Sequence, residues 1–509
     1  MRGKAKDEGE ELAFQLELDE NLRQIEAYMR HSSDLVIRRF HIGQARTDAA
    51  VVLLDGLSDK DMVQQQVLKS LMLQWKRGGD EKAPLTHPAL FAQIRDAAVS
   101  MGEVKEEDSL EKLVDAVLAG EAVFLLDRVK KGLVLGSRGW PSRGVEEPMT
   151  EALVRGPRDG FTETLRTNTT LLRRRIRDPR LTFVTMQVGK RSKKDLVVAY
   201  IQGIAKPDLV DDVVARIKRI DVDDVLESGI IEQWIEDSTL SPFPQLQHTE
   251  RPDKVASALN EGRVGIFLDT TPFVLLAPAT FAQLFQSPED YYERWMIGSL
   301  LRFLRYFAAF IATFLPGLYV ALVSYHQGMI PTKLALSIAA TREGVPFPAI
   351  IEALIMEMSL ELLREAGIRL PRPIGQSLGI VGGLVVGQAA VQAGIVSPIM
   401  VIVVAMTAIS SFAIPSYSVS ISFRILRFVT MLAAAFMGLY GLILIFLILS
   451  IHLVTLESFG TLYSEPAVPY RMRDWKDLVV RLPLQWMGKR PEMLEPQNER
   501  REGDGRVPR

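Results

Sequence analysis

Three glutamates stand in a run that is otherwise strongly apolar: Glu352, Glu357 and Glu361 fall within Ile350–Leu363, and Arg364 and Glu365 follow it. Carboxylates at membrane depth are expensive and normally face protein or water, so a cation pathway is the chemistry this pattern offers. The rival reading is an amphipathic or re-entrant helix at the membrane interface, which needs no pore. Pro346 and Pro348 suit a helix start under both readings, and the segment reads as a partly buried, functionally tuned helix.

A second polar group is made of serines. The apolar run Pro398–Ile414 contains Ser410-Ser411, and past Pro415 the string SYSVSIS puts Ser416, Ser418, Ser420 and Ser422 at every second position. A polar period of two beside a proline fits a broken or extended stretch lining a wet cavity; serines also bond back onto helix carbonyls with no such role. Between the two groups, IGQSLGIVGGLVVGQAAVQAG carries Gly375, Gly379, Gly383 and Gly387 on one stripe. Three overlapping GxxxG units let another helix approach to backbone contact, which is packing rather than chemistry.

Other chemistries find no support. The chain has no cysteine, which removes disulfides, thiolate metal sites and a cysteine nucleophile. No GxGxxG or P-loop follows a predicted strand and the six histidines lack ligand spacing, so no cofactor, metal or enzymatic step is expected. The densest basic cluster, Arg173, Arg174, Arg175 and Arg177, could meet anionic lipid or nucleic acid. It lacks the aromatic interleaving of single-strand binders and reads instead as a solvated helix face contacting a neighbouring lobe, so no nucleic-acid partner is expected.

The elements that must hold these groups divide the 509 residues unevenly. Charged residues, 60 Lys+Arg against 62 Asp+Glu, crowd the first 300 positions and the last 50 or so, while the block between is apolar. That is the signature of a soluble region joined to a membrane region. The N-terminal 20 residues are charged and lack the apolar core of a secretory signal, which places the first region on the cytoplasmic side.

The soluble region repeats itself. LVIRRFHI and AAVVLLDGL read as strands, with Ser58 as the N-cap of the next helix, and AVFLLDR with GLVLGSR reads as a hairpin after a helix over Ser109–Ala119. LTFVTMQV, DLVVAYIQGI, a helix over Asp208–Arg219 and a hairpin within Ala258–Ala279 bring the same order round again. The predicted fold is therefore α/β, with two duplicated lobes fused to an α-helical polytopic membrane domain. The boundaries are a variable segment 1–30, a first lobe 31–140, a linking helical segment 141–180, a second lobe 181–290, a membrane domain 291–456 with four to five hydrophobic segments, and a hydrophilic tail 457–509 whose end is expected to be disordered. A cleft between the lobes could bind a small molecule, or duplication could simply enlarge a docking scaffold. The closing run, Phe428–Leu453, is long enough to span once. Five spans would leave the basic tail outside, whereas a re-entrant Ile350–Leu363 would return both termini to one side.

The strings QLQHTERPDKVASALNEGRVGIFLDTTPFVLLAPATFAQLFQSPEDYYERW, VRGPRDGFTETLRTNTTLLRRRI and HQGMIPTKLALSIAATREGVPFPAIIEALIMEMSLELLREAGIRLPRPIGQSLGIVGGLVVGQAAVQAGIVSPIMVIVVAMTAISSFAIPSYS resemble the GerA family of spore germination proteins, in its A-subunit type. The resemblance runs from about Ser32 to Pro469. It implies a subunit of a germinant receptor in the inner membrane of a bacterial endospore, working with a B-type transporter-like subunit and a C-type lipoprotein. It further implies a homo-oligomeric ring of five forming a nutrient-gated cation channel, with the nutrient sensed largely by the B-type partner. A SpoVAF-like relative that amplifies germination belongs to the same family, and a secondary transporter or a membrane scaffold would also explain parts of the residue pattern.

Overall fold

A computed structural model describes residues 12–42, 47–74, 86–98, 101–139, 147–148, 150–369 and 387–501. The chain forms two compact units. One comprises Met1–Glu236, Leu246–Pro278 and Gly488–Arg509; the other comprises Asp237–Gln245 and Ala279–Met487.

The first unit contains the duplicated lobes. Strands β1 (Leu35–Ile42), β2 (Thr47–Leu54), β3 (Val104–Glu107), β4 (Ala122–Leu126) and β5 (Gly132–Leu135) form an antiparallel sheet in the order β1-β2-β4-β5-β3. Strands β6 (Leu181–Val188), β7 (Lys194–Ile201), β8 (Gln247–Thr249), β9 (Val264–Leu268) and β10 (Val274–Ala277) repeat that order as β6-β7-β9-β10-β8. Strands β4 and β9 are apolar and buried along their whole length because both faces are covered, and β2 and β7 become so after their first two residues, apart from the half-buried Tyr200. In the first lobe Val51, Phe124 and Leu133 pack on one side, while Val52, Val123 and Leu125 pack on the other beneath helix α1 (Leu18–Tyr28) and helix α2 (Leu110–Leu118). Leu18, Leu22 and Ile25 of α1 are core residues, so the first lobe reaches back into the segment expected to be variable.

Helix α3 (Leu165–Arg175) follows the first lobe. Its Arg173 is buried rather than solvated: the guanidinium grips both carboxylate oxygens of Asp34 at 2.9 and 3.0 Å, donates to Ser32 Oγ at 3.2 Å and lies 4.8 Å from the Phe183 ring centre. The same Ser32 hydroxyl accepts from the Phe183 amide at 3.2 Å, and the Ser33 amide donates to the Phe183 carbonyl at 3.2 Å. The two lobes are therefore tied where they meet. Ser58 is not the N-cap predicted for it. Asp59 takes that place by accepting from the Met62 amide at 2.9 Å, and Ser58 instead donates to the Gly120 carbonyl at 2.9 Å. The second lobe adds α4 (Pro207–Lys218), α5 (Ser228–Ile235) and α6 (Pro252–Glu261).

Duplication has not preserved charge. Glu121, just before β4, accepts from the Ser137 amide at 3.0 Å and pairs with Arg138 at 2.6 Å. At the matching place before β9 stands Arg263, buried and donating to the Pro278 carbonyl and Gln247 Oε1, each at 2.8 Å.

The second unit is a helical bundle: α7 (Trp295–Ser324), α8 (Thr332–Arg342), α9 (Ala349–Arg369), α10 (Pro398–Phe412) and α11 (Tyr417–Thr455). Two of these, α7 and α11, are long and apolar enough to cross a membrane. The tail divides between the units after Met487; residues 488–501 form a hairpin, and the charged end beyond them, for which disorder is expected, lies outside the described residues.

Helix α11 folds back on itself. Gly438 has φ 60° and ψ −139°, which breaks the helix, and a side chain on Gly441 would collide with the Ala433 carbonyl. Phe423 meets Phe243 edge to face and His452 stacks on the same ring, at 5.7 and 6.2 Å between ring centres. A straight helix would hold residues that far apart in sequence roughly 43 Å from each other at 1.5 Å per residue. The predicted closing span Phe428–Leu453 is thus the turn and return of a helical hairpin, and glycine suits the reversal because it takes a positive φ with ψ near −139° at no steric cost.

Candidate functional site

The three glutamates of α9 descend through the bundle in tiers. Glu352 is fully buried; Arg342 Nη2 reaches its Oε1 at 2.9 Å and the Ser397 amide donates to its Oε2 at 2.9 Å. Ser397 in turn N-caps α10 by accepting from the Met400 amide at 3.3 Å, and its hydroxyl lies 3.4 Å from that of Tyr319 on α7. Orphan amides at a helix start favour a nearby carboxylate, so Glu352 both caps α10 and neutralises the arginine at the end of α8.

Glu357 is likewise fully buried. Thr407 of α10 donates to its Oε1 at 3.1 Å, and Arg427 Nη1 of α11 stands 2.9 Å from its Oε2 without a directed hydrogen bond. One helical turn on, Glu361 Oε1 lies 3.0 Å from Arg427 Nη2 and 3.5 Å from Arg364 Nη1, and its Oε2 accepts from Arg424 Nη1 at 3.0 Å. Positions four apart share a helix face, which is why Glu357 and Glu361 meet the same arginine. Three arginines face two carboxylates here, and the remaining guanidinium surface is covered by rings: Arg364 lies 5.0 Å from the Phe412 centre and Arg424 5.9 Å from that of Tyr417.

The serines close the lower end. Arg364 Nη2 donates to Ser411 Oγ at 3.2 Å, and Ser420 donates to the Ser411 carbonyl at 3.0 Å. Ser422 donates to the Ser418 carbonyl at 3.0 Å and to the Pro242 carbonyl. Ser416 stands at the N-cap position of α11, and Ser418, Ser420 and Ser422 lie within the helix. The predicted extended stretch is therefore helical, and its buried hydroxyls are satisfied by carbonyls: Ser422 bonds back one turn along its own helix and Ser420 reaches across to α10. Gly387 is buried, and a side chain there would make only an ordinary van der Waals contact with the Val401 side chain of α10, at 3.5 Å. Gly375, Gly379 and Gly383 lie outside the described residues.

The arrangement brings Glu357, Glu361 and Ser411 onto one network through Arg427 and Arg364, with Ser420 bonded to Ser411; Glu352 is held apart from it by Arg342 and Ser397, and Ser416 and Ser418 lie beside it. Reading the sequence singled out the acids and missed their partners. Arg342, Arg424 and Arg427 carried the same signal, a charge inside or beside an apolar run. Among the described residues no group of three or more His, Asp or Glu side chains is placed to hold a metal ion.

A duplicated α/β unit joined to an apolar bundle with buried ion pairs defines a membrane-associated protein without a cofactor-type site among its described residues. The family model for the Bacillus/Clostridium GerA spore germination proteins matches residues 23–493, and the chain belongs to that family. It is 47% identical over 484 residues to spore germination protein GerLA of Bacillus cereus, covering 94% of this chain and 97% of that one. It is 44% identical over 492 residues to spore germination protein KA of Bacillus subtilis (strain 168), covering 96% and 89%. A crystal structure of the N-terminal domain of the A subunit of the Bacillus megaterium spore germinant receptor GerK3 matches at 34% identity, covering 53% of this chain and 98% of that one with a TM-score of 0.42.

Proposed function

We propose that this chain is the A subunit of a spore germinant receptor, a ring of five in the inner membrane of the endospore that opens a cation path on a nutrient signal. It acts with a B-type transporter-like subunit and a C-type lipoprotein and performs no enzymatic step. Family membership supports the biological role. The observation that supports the channel is the set of ion-paired carboxylates on α9, with Glu352 and Glu357 fully buried and Glu361 partly so, because a soluble core rarely retains such carboxylates among apolar helices. In the structure described, each carboxylate is matched by arginine, so the network is a latch holding α9 against α10 and α11. Conduction requires that these pairs be rearranged, with the freed carboxylates offered to the cation.

Topology supports the same reading. Phe285 stacks on Tyr306 near the start of α7, and Leu453 near the end of α11 packs in that same cluster. The chain thus leaves and re-enters the bundle at one end, and residues 488–501 belong to the unit that also holds the N-terminal lobes. This supports an even number of crossings with both termini on one side of the membrane, which in this proposal is the cytoplasmic side.

The test is cation flux through the assembled receptor in liposomes, with Glu352, Glu357 and Glu361 each changed to Gln. Altered conductance or selectivity in at least one variant is expected. Unchanged conductance and selectivity in all three removes the glutamates from the path, and no flux from a verified assembly favours a membrane scaffold.

A further inference from the structure

The two lobes close one equivalent backbone position by different means. In the first lobe the carbonyl of Leu57, just after Gly56, accepts from the amide of Gly139 at 3.0 Å, so the chain leaving β5 folds straight back over the end of β2. In the second lobe the chain leaving β10 departs for the other unit after Pro278. The matching carbonyl, Ile204 after Gly203, accepts instead from the amide of Gln497, also at 3.0 Å.

Gln497 belongs to the hairpin 488–501. Within it the Arg490 amide donates to the Glu499 carbonyl at 2.8 Å and the Arg501 amide to the Gly488 carbonyl at 2.9 Å. Around the shared carbonyl, Lys206 Nζ meets Glu495 at 2.9 Å, Arg490 Nε donates to the Asn260 carbonyl at 2.6 Å, and Arg501 meets Glu261 at 2.6 Å. Met493 and Leu494 are buried. Counting Pro496, which is also buried, three small apolar contacts and a polar rim are a modest return for ordering a hairpin, so this contact belongs to the class that opens locally while the fold persists.

The segment just ahead of the hairpin is held quite differently. Arg481 Nη1 donates to the carbonyls of Asp290 and Glu293 at 2.6 and 3.0 Å. The buried Asp290 carboxylate receives Arg302 Nε and Arg305 Nη1, each at 2.8 Å, and Arg302 Nη1 reaches Asp477 at 2.7 Å. The start of α7 and the chain leaving α11 are thereby knit into one junction, and the hairpin is its direct continuation.

We infer that residues 488–501 are a strap, docked on the second lobe in one state of the protein and released in another, and that strap and junction bias each other through residues 482–487. The inference is independent of the channel reading, because its test measures no flux. Coupling of this kind is reciprocal.

Amide hydrogen exchange on the full chain in lipid nanodiscs tests it. Leu494→Ser is expected to speed exchange at Gln497 and, across the link, at Ser287–Glu293 by about fivefold or more; Asp477→Asn is expected to speed the junction and Gln497 by a similar factor. Lys206→Cys with Glu495→Cys, closed by a short bis-maleimide in this cysteine-free chain, is expected to return the junction of Leu494→Ser to slow exchange. Changes that stay local in both single variants overturn the inference. So does a staple that fails to form, or one that forms and leaves the junction unprotected.

Discussion

The Glu357 carboxylate lies 2.9 Å from the Arg427 guanidinium, and neither side chain is reached by solvent. A buried ion pair contributes little net stability, because desolvation offsets the attraction, but losing one partner leaves an uncompensated charge. Arg427→Gln should therefore destabilise the bundle by about 3–5 kcal/mol, and Glu357→Gln combined with Arg427→Gln by clearly less than the sum of the two. Thermal unfolding of the four proteins of this cycle in detergent checks the prediction; additive losses would show that the two groups act independently.

Arg173 and Asp34 hold the lobes by the same kind of contact, with Arg173 almost wholly buried and gripping both carboxylate oxygens. Lysine cannot reproduce that fork. Arg173→Lys should cost about 2–4 kcal/mol and raise proteolytic cleavage between the lobes. Wild-type cleavage kinetics in the variant would count against the tie.

Glu232 of α5 supplies a pH dependence. Burial, with Glu236 and Glu227 nearby, pushes its carboxyl up to about 7. A carboxyl raised on folding contributes stability that is fully present below its unfolded value near 4.5 and is lost as pH climbs to about 7. Because the residue is only partly enclosed, the loss is on the order of 1–2 kcal/mol. Glu232→Gln should flatten stability between those pH values and raise it above pH 7, as read from exchange protection of α5; an unchanged pH profile would rule the group out.

Gly438 tests the helical hairpin. Gly438→Val forces a β-branched residue into a left-handed turn, at a cost of about 1–3 kcal/mol or more. Single cysteines placed at Tyr440 and at Thr455 should be labelled by an impermeant thiol reagent from opposite sides of a sealed vesicle. Labelling of both from the same side would remove the crossing.

Strand order and duplication were legible because alternating and continuous apolar runs bounded by Asp-Gly and Gly turns recur at matched positions, as at Gly56 and Gly203. The edge strands Val104–Glu107 and Gln247–Thr249 were not, since charged or polar residues on a short edge carry no apolar period. The acids of the candidate site announced themselves by standing in apolar company; their arginines are contributed by other helices, which no local spacing reveals. The Gly438 reversal was hidden for the opposite reason. Apolar residues continue on both sides of it, and hydropathy does not record direction.

The opposite charges at Glu121 and Arg263 bear on the history of the duplication. Each is satisfied only by its own lobe: Glu121 by Arg138 and the Ser137 amide, Arg263 by Gln247 and the Pro278 carbonyl. A copied lobe would therefore bring the partners of its buried charge with it, whereas a crossover inside a lobe that parted Glu121 from Arg138, or Arg263 from Gln247, would bury a charge without its partner. At this position the repeats can be exchanged as whole lobes but no longer mixed within one.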